Sequence, residues 1–159
     1  MKNNKKIKEK ILKALKSEQE IVINRCWGGF GLSVKAIKRY AELSGFKIYV
    51  YKKKDNKREE HIRVDTKEEE EGTLRIFYYL KKDFGKEIGK LPNDDNLWFS
   101  ERDIKRDDEI LVQVVKELGK KANGEYAELR IVKIPSNIDW DIDDYDGMEK
   151  VEEKHRVWN

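Results

Sequence analysis

Three kinds of residue in this chain have recognition chemistry to offer. Arg25, Arg39, Arg102, Arg106, Arg130 and Arg156 carry forked guanidinium groups that grip phosphate through paired hydrogen bonds wherever they converge. Trp27, Phe30, Trp98, Phe99 and Trp158 are flat surfaces on which a base can stack. Gly28, Gly29 and Gly31 allow sharp turning or close approach of backbone to a ligand. They lie between the β-branched run Ile21-Val22-Ile23 and Ser33, a good helix N-cap. A strand, a glycine turn and a helix N-terminus together form a generic anion seat, with N–H groups at the positive end of a dipole. These residues suit a nucleotide-like ligand, and equally single-stranded nucleic acid.

The stricter nucleotide motifs are missing. No Gly-Lys-Ser/Thr follows the turn, and Val34 stands where G-x-G-x-x-G needs its third glycine. The acidic run Asp139, Asp141, Asp143, Asp144 and Asp146 does not make an EF-hand, since Asp144 and Lys150 replace its glycine and glutamate. The alternation Asp139-Trp140-Asp141-Ile142-Asp143 reads instead as an edge strand with a solvated acidic face. His61 and His155 show no zinc spacing with cysteine or carboxylates. Cys26 reads as a small buried hydrophobe at the end of a core strand rather than a nucleophile. The expectation is binding without catalysis, with no cofactor and no metal.

Two main helices and several strands must position these groups. Ser33–Ser44 places Val34, Ile37, Tyr40 and Ala41 on one face, and Gly45 closes it. Phe46–Tyr51 reads as a strand, making Ile21–Tyr51 a candidate β-α-β unit. His61–Val64 and Thr73–Leu80 read as strands joined by an acidic turn through Glu68–Gly72. Glycines, Pro92 and the Asn93–Asn96 cluster break any period in Lys81–Lys105. Within it, Trp98 and Phe99 either clamp a base beside Arg102 and Arg106 or plug the core. Asp107–Gly119 carries the stripe Ile110, Leu111, Val114, Val115 and Leu118, with acids in its first turn. Tyr126–Ile134 and Ile138–Ile142 read as strands, and Met148–His155 as a last half-buried helix after a turn at Gly147. Met1–Glu20, with Ile7, Ile11, Leu12 and Leu15 on one helical face, reads as a basic amphipathic extension. It serves either as an arm for RNA or a partner, or as a helix resting on the body.

At 159 residues, with 42% charged and 38% hydrophobic positions, the expectation is one compact domain over 21–159 with a very wet surface. No apolar run is long enough to cross a bilayer, and no signal-peptide pattern is present. The single cysteine rules out an internal disulfide and suits a reducing cytoplasm. The formal charge of +3 conceals an asymmetry. Residues 1–60 hold 17 Lys and Arg against 7 Asp and Glu, whereas 136–159 hold 3 against 8. Such a chain attracts anions on one side or pairs its ends within an oligomer.

Two segments resemble a known family: Ile23–Ser33 (INRCWGGFGLS) with its helix, and Arg106–Trp158 (RDDEILVQVVKELGKKANGEYAELRIVKIP … YDGMEKVEEKHRVW). Together they cover somewhat under half of the chain and are similar to small tailed-phage proteins, the first type of Thoeris anti-defence protein. That resemblance implies a sponge, which binds a glycocyclic ADP-ribose signal made by bacterial TIR-domain enzymes and holds it intact. As in some members of that family, it also implies binding of cyclic oligonucleotides at a second site. Dimers that build hexamers, and the cytoplasm of an infected bacterium, are implied in the same way. Residues 52–105 and the N-terminal extension match no pattern of that family.

The fold expected is α+β, a mostly antiparallel or mixed sheet carrying two main helices, plus an N-terminal helical extension. The ligand-binding set, chosen on chemistry, is Arg25, Trp27, Gly28, Gly29, Phe30, Gly31, Ser33, Phe99, Arg102, Arg106, Arg130 and Arg156. The expected function is sequestration of a cyclic nucleotide immune signal by a homodimer or dimer-built hexamer that does not engage a membrane. A nucleotide-processing enzyme and a single-stranded nucleic-acid-binding protein are the alternatives.

Overall fold

The computed structural model describes residues 17–54, 59–64 and 76–155, together with Ile11. Apart from Ile11, the helical face expected within 1–16 lies outside the described residues, as do the acidic turn at 68–72, residues 73–75 of the strand expected at 73–80, and Arg156 and Trp158. The fold is α+β, and every strand pair is antiparallel.

β1 (Glu18–Asn24) pairs with β6 (Leu129–Pro135) as a two-stranded ribbon, Ile21 opposite Val132. The four residues Ile21–Asn24 are all buried. The helix α1 (Val34–Ser44) follows the glycine turn. It is capped by Ser33 at the start and by Gly45 at φ 79° at the end, where a left-handed residue is needed. α2 (Glu109–Leu118) begins at Asp108, whose carboxylate accepts from the N–H groups of Ile110 and Leu111. The two helices pack on each other and on the ribbon. Val22, Leu32, Ala36, Ile37, Ile104, Leu111, Val114, Val115, Ala122 and Leu129 form the main core there. Each fully buried aliphatic in it contributes roughly 1.5–3 kcal/mol.

A second sheet runs in the order β4 (Phe77–Leu80), β2 (Tyr49–Lys53), β3 (His61–Arg63), β5 (Glu87–Ile88). It covers a smaller cluster of Val34, Val50 and Val64. β1 and β2 therefore lie in different sheets, and Ile21–Tyr51 is not a β-α-β unit. The physical reason is that the outer edge of β1 is already closed. Val22 N donates to the Arg106 carbonyl and Asn24 N to the Glu149 carboxylate, both at 2.8 Å.

Residues 81–105 have more order than their composition suggests. Leu80 bridges to Trp98, and Phe99 N donates to the Tyr79 carbonyl at 2.9 Å, which extends the β4 edge. Two short 3-10 turns flank Trp98 and Phe99, Asp95–Leu97 capped by Asp94 and Glu101–Asp103 capped by Ser100.

Met148–His155 is not a helix. β7 (Trp140–Tyr145) and β8 (Met148–Glu153) form a hairpin in which Tyr145 faces Met148. The connection is Asp146-Gly147, at φ 52° and 87°. A two-residue loop with both φ positive matches the twist of its strands and fixes their register. The N-terminal boundary also moves, since β1 begins at Glu18 rather than Ile21.

Candidate functional site

The glycine turn uses its freedom on the chain's own backbone. A Cβ on Gly28 would collide with the carbonyl and Cβ of Tyr126, and one on Gly147 would meet Gly29 N at 2.5 Å and Trp27 O at 2.7 Å. Gly31 and Gly124 lie back to back, with Gly124 N donating to Gly31 O at 2.9 Å. At the start of α1, Ser33 N donates to the Ala122 carbonyl at 2.9 Å. The Ser33 hydroxyl donates to the Lys121 carbonyl at 2.7 Å and accepts from Ala36 N at 3.1 Å. The helix N-terminus is thus stitched to residues 121–124.

Arg106 is the keystone beside this turn. Its guanidinium makes a two-pronged contact with Glu149, Nη1 to Oε2 at 2.9 Å and Nη2 to Oε1 at 2.8 Å. It also donates to the Val22 carbonyl and lies 3.4 Å above the centre of the Phe30 ring, a close cation–π contact. Glu149 is 3% exposed and takes a further hydrogen bond from Asn24 N. Asn24, fully buried, donates to the carbonyls of Cys26 and Gly147 and accepts from Glu128 N. Arg25 donates to the Glu149 carbonyl at 3.2 Å. Arg25, Phe30 and Arg106 of the expected ligand set thus converge, and they do so around a buried carboxylate.

Two open concavities among the described residues border the Glu101–Ile104 segment. One is a cleft of about 340 Å³ lined by Tyr40, Phe46, Lys81, Trp98, Phe99, Ser100, Asp103 and Ile104. Phe99 packs within 6.1 Å of Tyr40 and 5.8 Å of Phe46, ring centre to ring centre, so these three rings cluster in its wall, with Trp98 a fourth aromatic in the lining. Burial, then the Asp108 carboxylate, pushes the Tyr40 phenol up from its ordinary value, so it stays neutral. The other is a groove of about 470 Å³ lined by Arg102, Asp103, Ile104, Lys105, Arg106, Asp107, Trp140, Asp141 and Lys154. Its charges are of both signs, and Lys154 Nζ stands 3.8 Å from Asp141. Asp103 and Ile104 belong to both walls, which makes the two concavities neighbours.

The expected ligand set is therefore divided. Phe99 lines the aromatic cleft and Arg102 the charged groove. Gly28, Gly29, Gly31 and Ser33 build the turn. Trp27 is 59% exposed beside Tyr145. Arg130 pairs with Glu128 on the surface, and Arg39 bridges Glu117 and Glu42. Trp98 donates to the Pro92 carbonyl at 3.0 Å and packs edge-on against Tyr78. His61 Nδ1 lies 3.0 Å from the Gly89 carbonyl. Among the described residues, no group of three His, Cys, Asp or Glu side chains could hold a metal ion. Nor is any helix among them long and apolar enough to cross a membrane. Sequence reasoning missed Phe46, Lys81, Lys105, Trp140 and Lys154 as lining residues. It placed Tyr40 on a helix face, with no signal that this face ends at a cleft. No local signal marked Glu149: the Asp146-Gly147 turn fixes the register of the hairpin but not which of its faces is buried.

No family model, curated protein or solved structure matches the chain.

Proposed function

We propose that this protein binds a small nucleotide and holds it without changing it. The observation that carries the reading is the adjacency of an aromatic cleft and a charged groove across a shared Asp103–Ile104 wall. In this arrangement a base stacks on Phe99 and Tyr40 and its phosphates extend toward Arg102, Lys105 and Lys154. Asp103, on the dividing wall, accepts hydrogen bonds from ribose hydroxyls, which a purely cationic groove cannot do. Stacking supplies roughly 1–3 kcal/mol per base, and each charge-assisted hydrogen bond adds about 1.5–3 kcal/mol. Both volumes fall within the range of roughly 300–1,000 Å³ typical of small-ligand sites.

The likeness of Ile23–Ser33 and Arg106–Trp158 to Thoeris anti-defence proteins names the ligand class we propose: a cyclic ADP-ribose signal, sequestered during phage infection by a homodimer or larger assembly. The mixed-sign groove supports that class, because such a ligand carries two riboses and a pyrophosphate. The test incubates the full chain with cyclic ADP-ribose isomers and cyclic oligonucleotides, removes protein by filtration, and follows ligand by chromatography before and after heat denaturation. Ligand that disappears and returns intact supports sequestration. Ligand that returns altered indicates an enzyme. No depletion of any of them refutes the nucleotide reading and makes single-stranded nucleic acid the next candidate.

A further inference from the structure

The tip of the β7–β8 hairpin gathers large side chains that the fold leaves in solvent. Trp27, Tyr126 and Tyr145 are 59%, 56% and 74% exposed. They are three of the five large hydrophobics exposed to this degree among the described residues. Their clustering arises from the glycine contacts already described. Gly28 presses Trp27's neighbourhood against Tyr126, and Gly147 presses the hairpin tip against Trp27 and Gly29. Trp27 and Tyr145 meet edge to face, ring centres 6.2 Å apart at 74°, forming one exposed aromatic corner. The backbone beneath is held by Asn24, which reaches both Cys26 and Gly147.

The exposed charges next to these rings in sequence are acidic: Glu125 adjoins Tyr126 and Asp146 follows Tyr145, while the Asp144 carboxylate accepts from Gly147 N. Lys150, further along the hairpin, is paired with Asp143 and Glu152. Arg25 is the cation nearest in sequence, and its guanidinium is turned to the Glu149 carbonyl. Aromatic faces bordered by carboxylates attract an ammonium or guanidinium group, through the ring quadrupole and through Coulomb attraction together. The same carboxylates repel a nucleic-acid backbone. The charged groove lies at the opposite end of the hairpin, where Trp140 and Lys154 stand.

We propose that this tip docks a lysine- or arginine-rich protein segment, laying one cationic side chain against the exposed Trp27 and Tyr145 rings beside Glu125 and Asp146. This interface is separate from the nucleotide clefts and does not depend on their reading.

A fluorescein-labelled nonaarginine peptide and a single-stranded oligonucleotide of equal length serve as probes, titrated against the full chain at several salt concentrations by anisotropy. The peptide is expected to bind, with affinity falling at least about tenfold in Trp27→Ala and in Tyr145→Ala. Trp27→Phe retains part of it. Glu125→Gln with Asp146→Asn lowers both the affinity and its salt dependence. All four positions are exposed, so thermal midpoints close to the parent's show that the variants fold. Peptide affinity unchanged in both aromatic variants overturns the proposal. Oligonucleotide binding lost in Trp27→Ala in place of peptide binding overturns it as well.

Discussion

Replacing Glu149 by glutamine removes the charge that Arg106 is built around while keeping the shape of the side chain. Glu149 is 3% exposed and the Arg106 side chain 19%, so most of the guanidinium's compensation comes from this carboxylate. Breaking a buried ion pair by neutralising one partner costs roughly 3–5 kcal/mol, much of it the penalty of the charge left behind. Because Arg106 retains some solvent and its contact with Phe30, the lower end, about 3 kcal/mol, is expected. For a domain of this size that is a fall of about 6–12 °C in thermal midpoint. Equilibrium urea unfolding followed by circular dichroism reads it as a lower midpoint at unchanged slope. The double variant Arg106→Met with Glu149→Leu removes both charges. It leaves Asn24 N without its acceptor, a residual cost of about 1–3 kcal/mol. It should therefore be no less stable than Glu149→Gln alone. A Glu149→Gln protein within about 1 kcal/mol of the parent, or a double variant at the sum of two independent losses, refutes the keystone role.

The same geometry sets four further expectations. Gly28→Ala forces a methyl group into the Tyr126 backbone and costs more than Gly45→Ala, which meets nothing within 4 Å and bears only the strain of φ 79°, about 1 kcal/mol; comparative chemical denaturation ranks the two. Ser33→Ala loses the cap on Ala36 N and the bond to the Lys121 carbonyl, lowering stability by about 0.5–2 kcal/mol in the same assay. The Asp83 carboxyl is held below its ordinary 3.8 by the Gly85 N–H first and then by Arg63. Its contribution to stability is therefore complete above 3.8 and declines as the pH falls through its lower folded value. Carbon-detected NMR titration should place that midpoint below 3.8, and Arg63→Gln should raise it without fully restoring it. In the proposed binding mode Arg102→Gln and Lys105→Gln each weaken ligand retention about tenfold in the filtration assay, with thermal midpoints near the parent's.

The reach of an interaction decides whether the sequence reveals it. Ser33, Gly45, Asp108 and Gly119 act within a few residues of themselves, and the helices they bound stand where periodicity places them. Met148–His155 offers charged residues at helical spacing and yet forms a strand. The deciding fact is the positive φ pair at Asp146-Gly147, a hairpin device that outweighs the propensity of the residues after it. Arg106 looks like a phosphate ligand because nothing local reveals that a carboxylate 43 residues later meets it in the core. The glycine turn is the sharpest case. Its residues mark a place where backbone comes close, but a sequence does not say to what. Here the close approach is to Tyr126, Gly124 and Gly147, on two other elements of the same chain. Glycines that let three backbone segments touch also leave the bulky neighbours of those segments no room inside. Trp27, Tyr126 and Tyr145 are therefore pushed outward by the packing that the turn allows, so this exposed aromatic cluster is a direct consequence of the close backbone contacts beneath it.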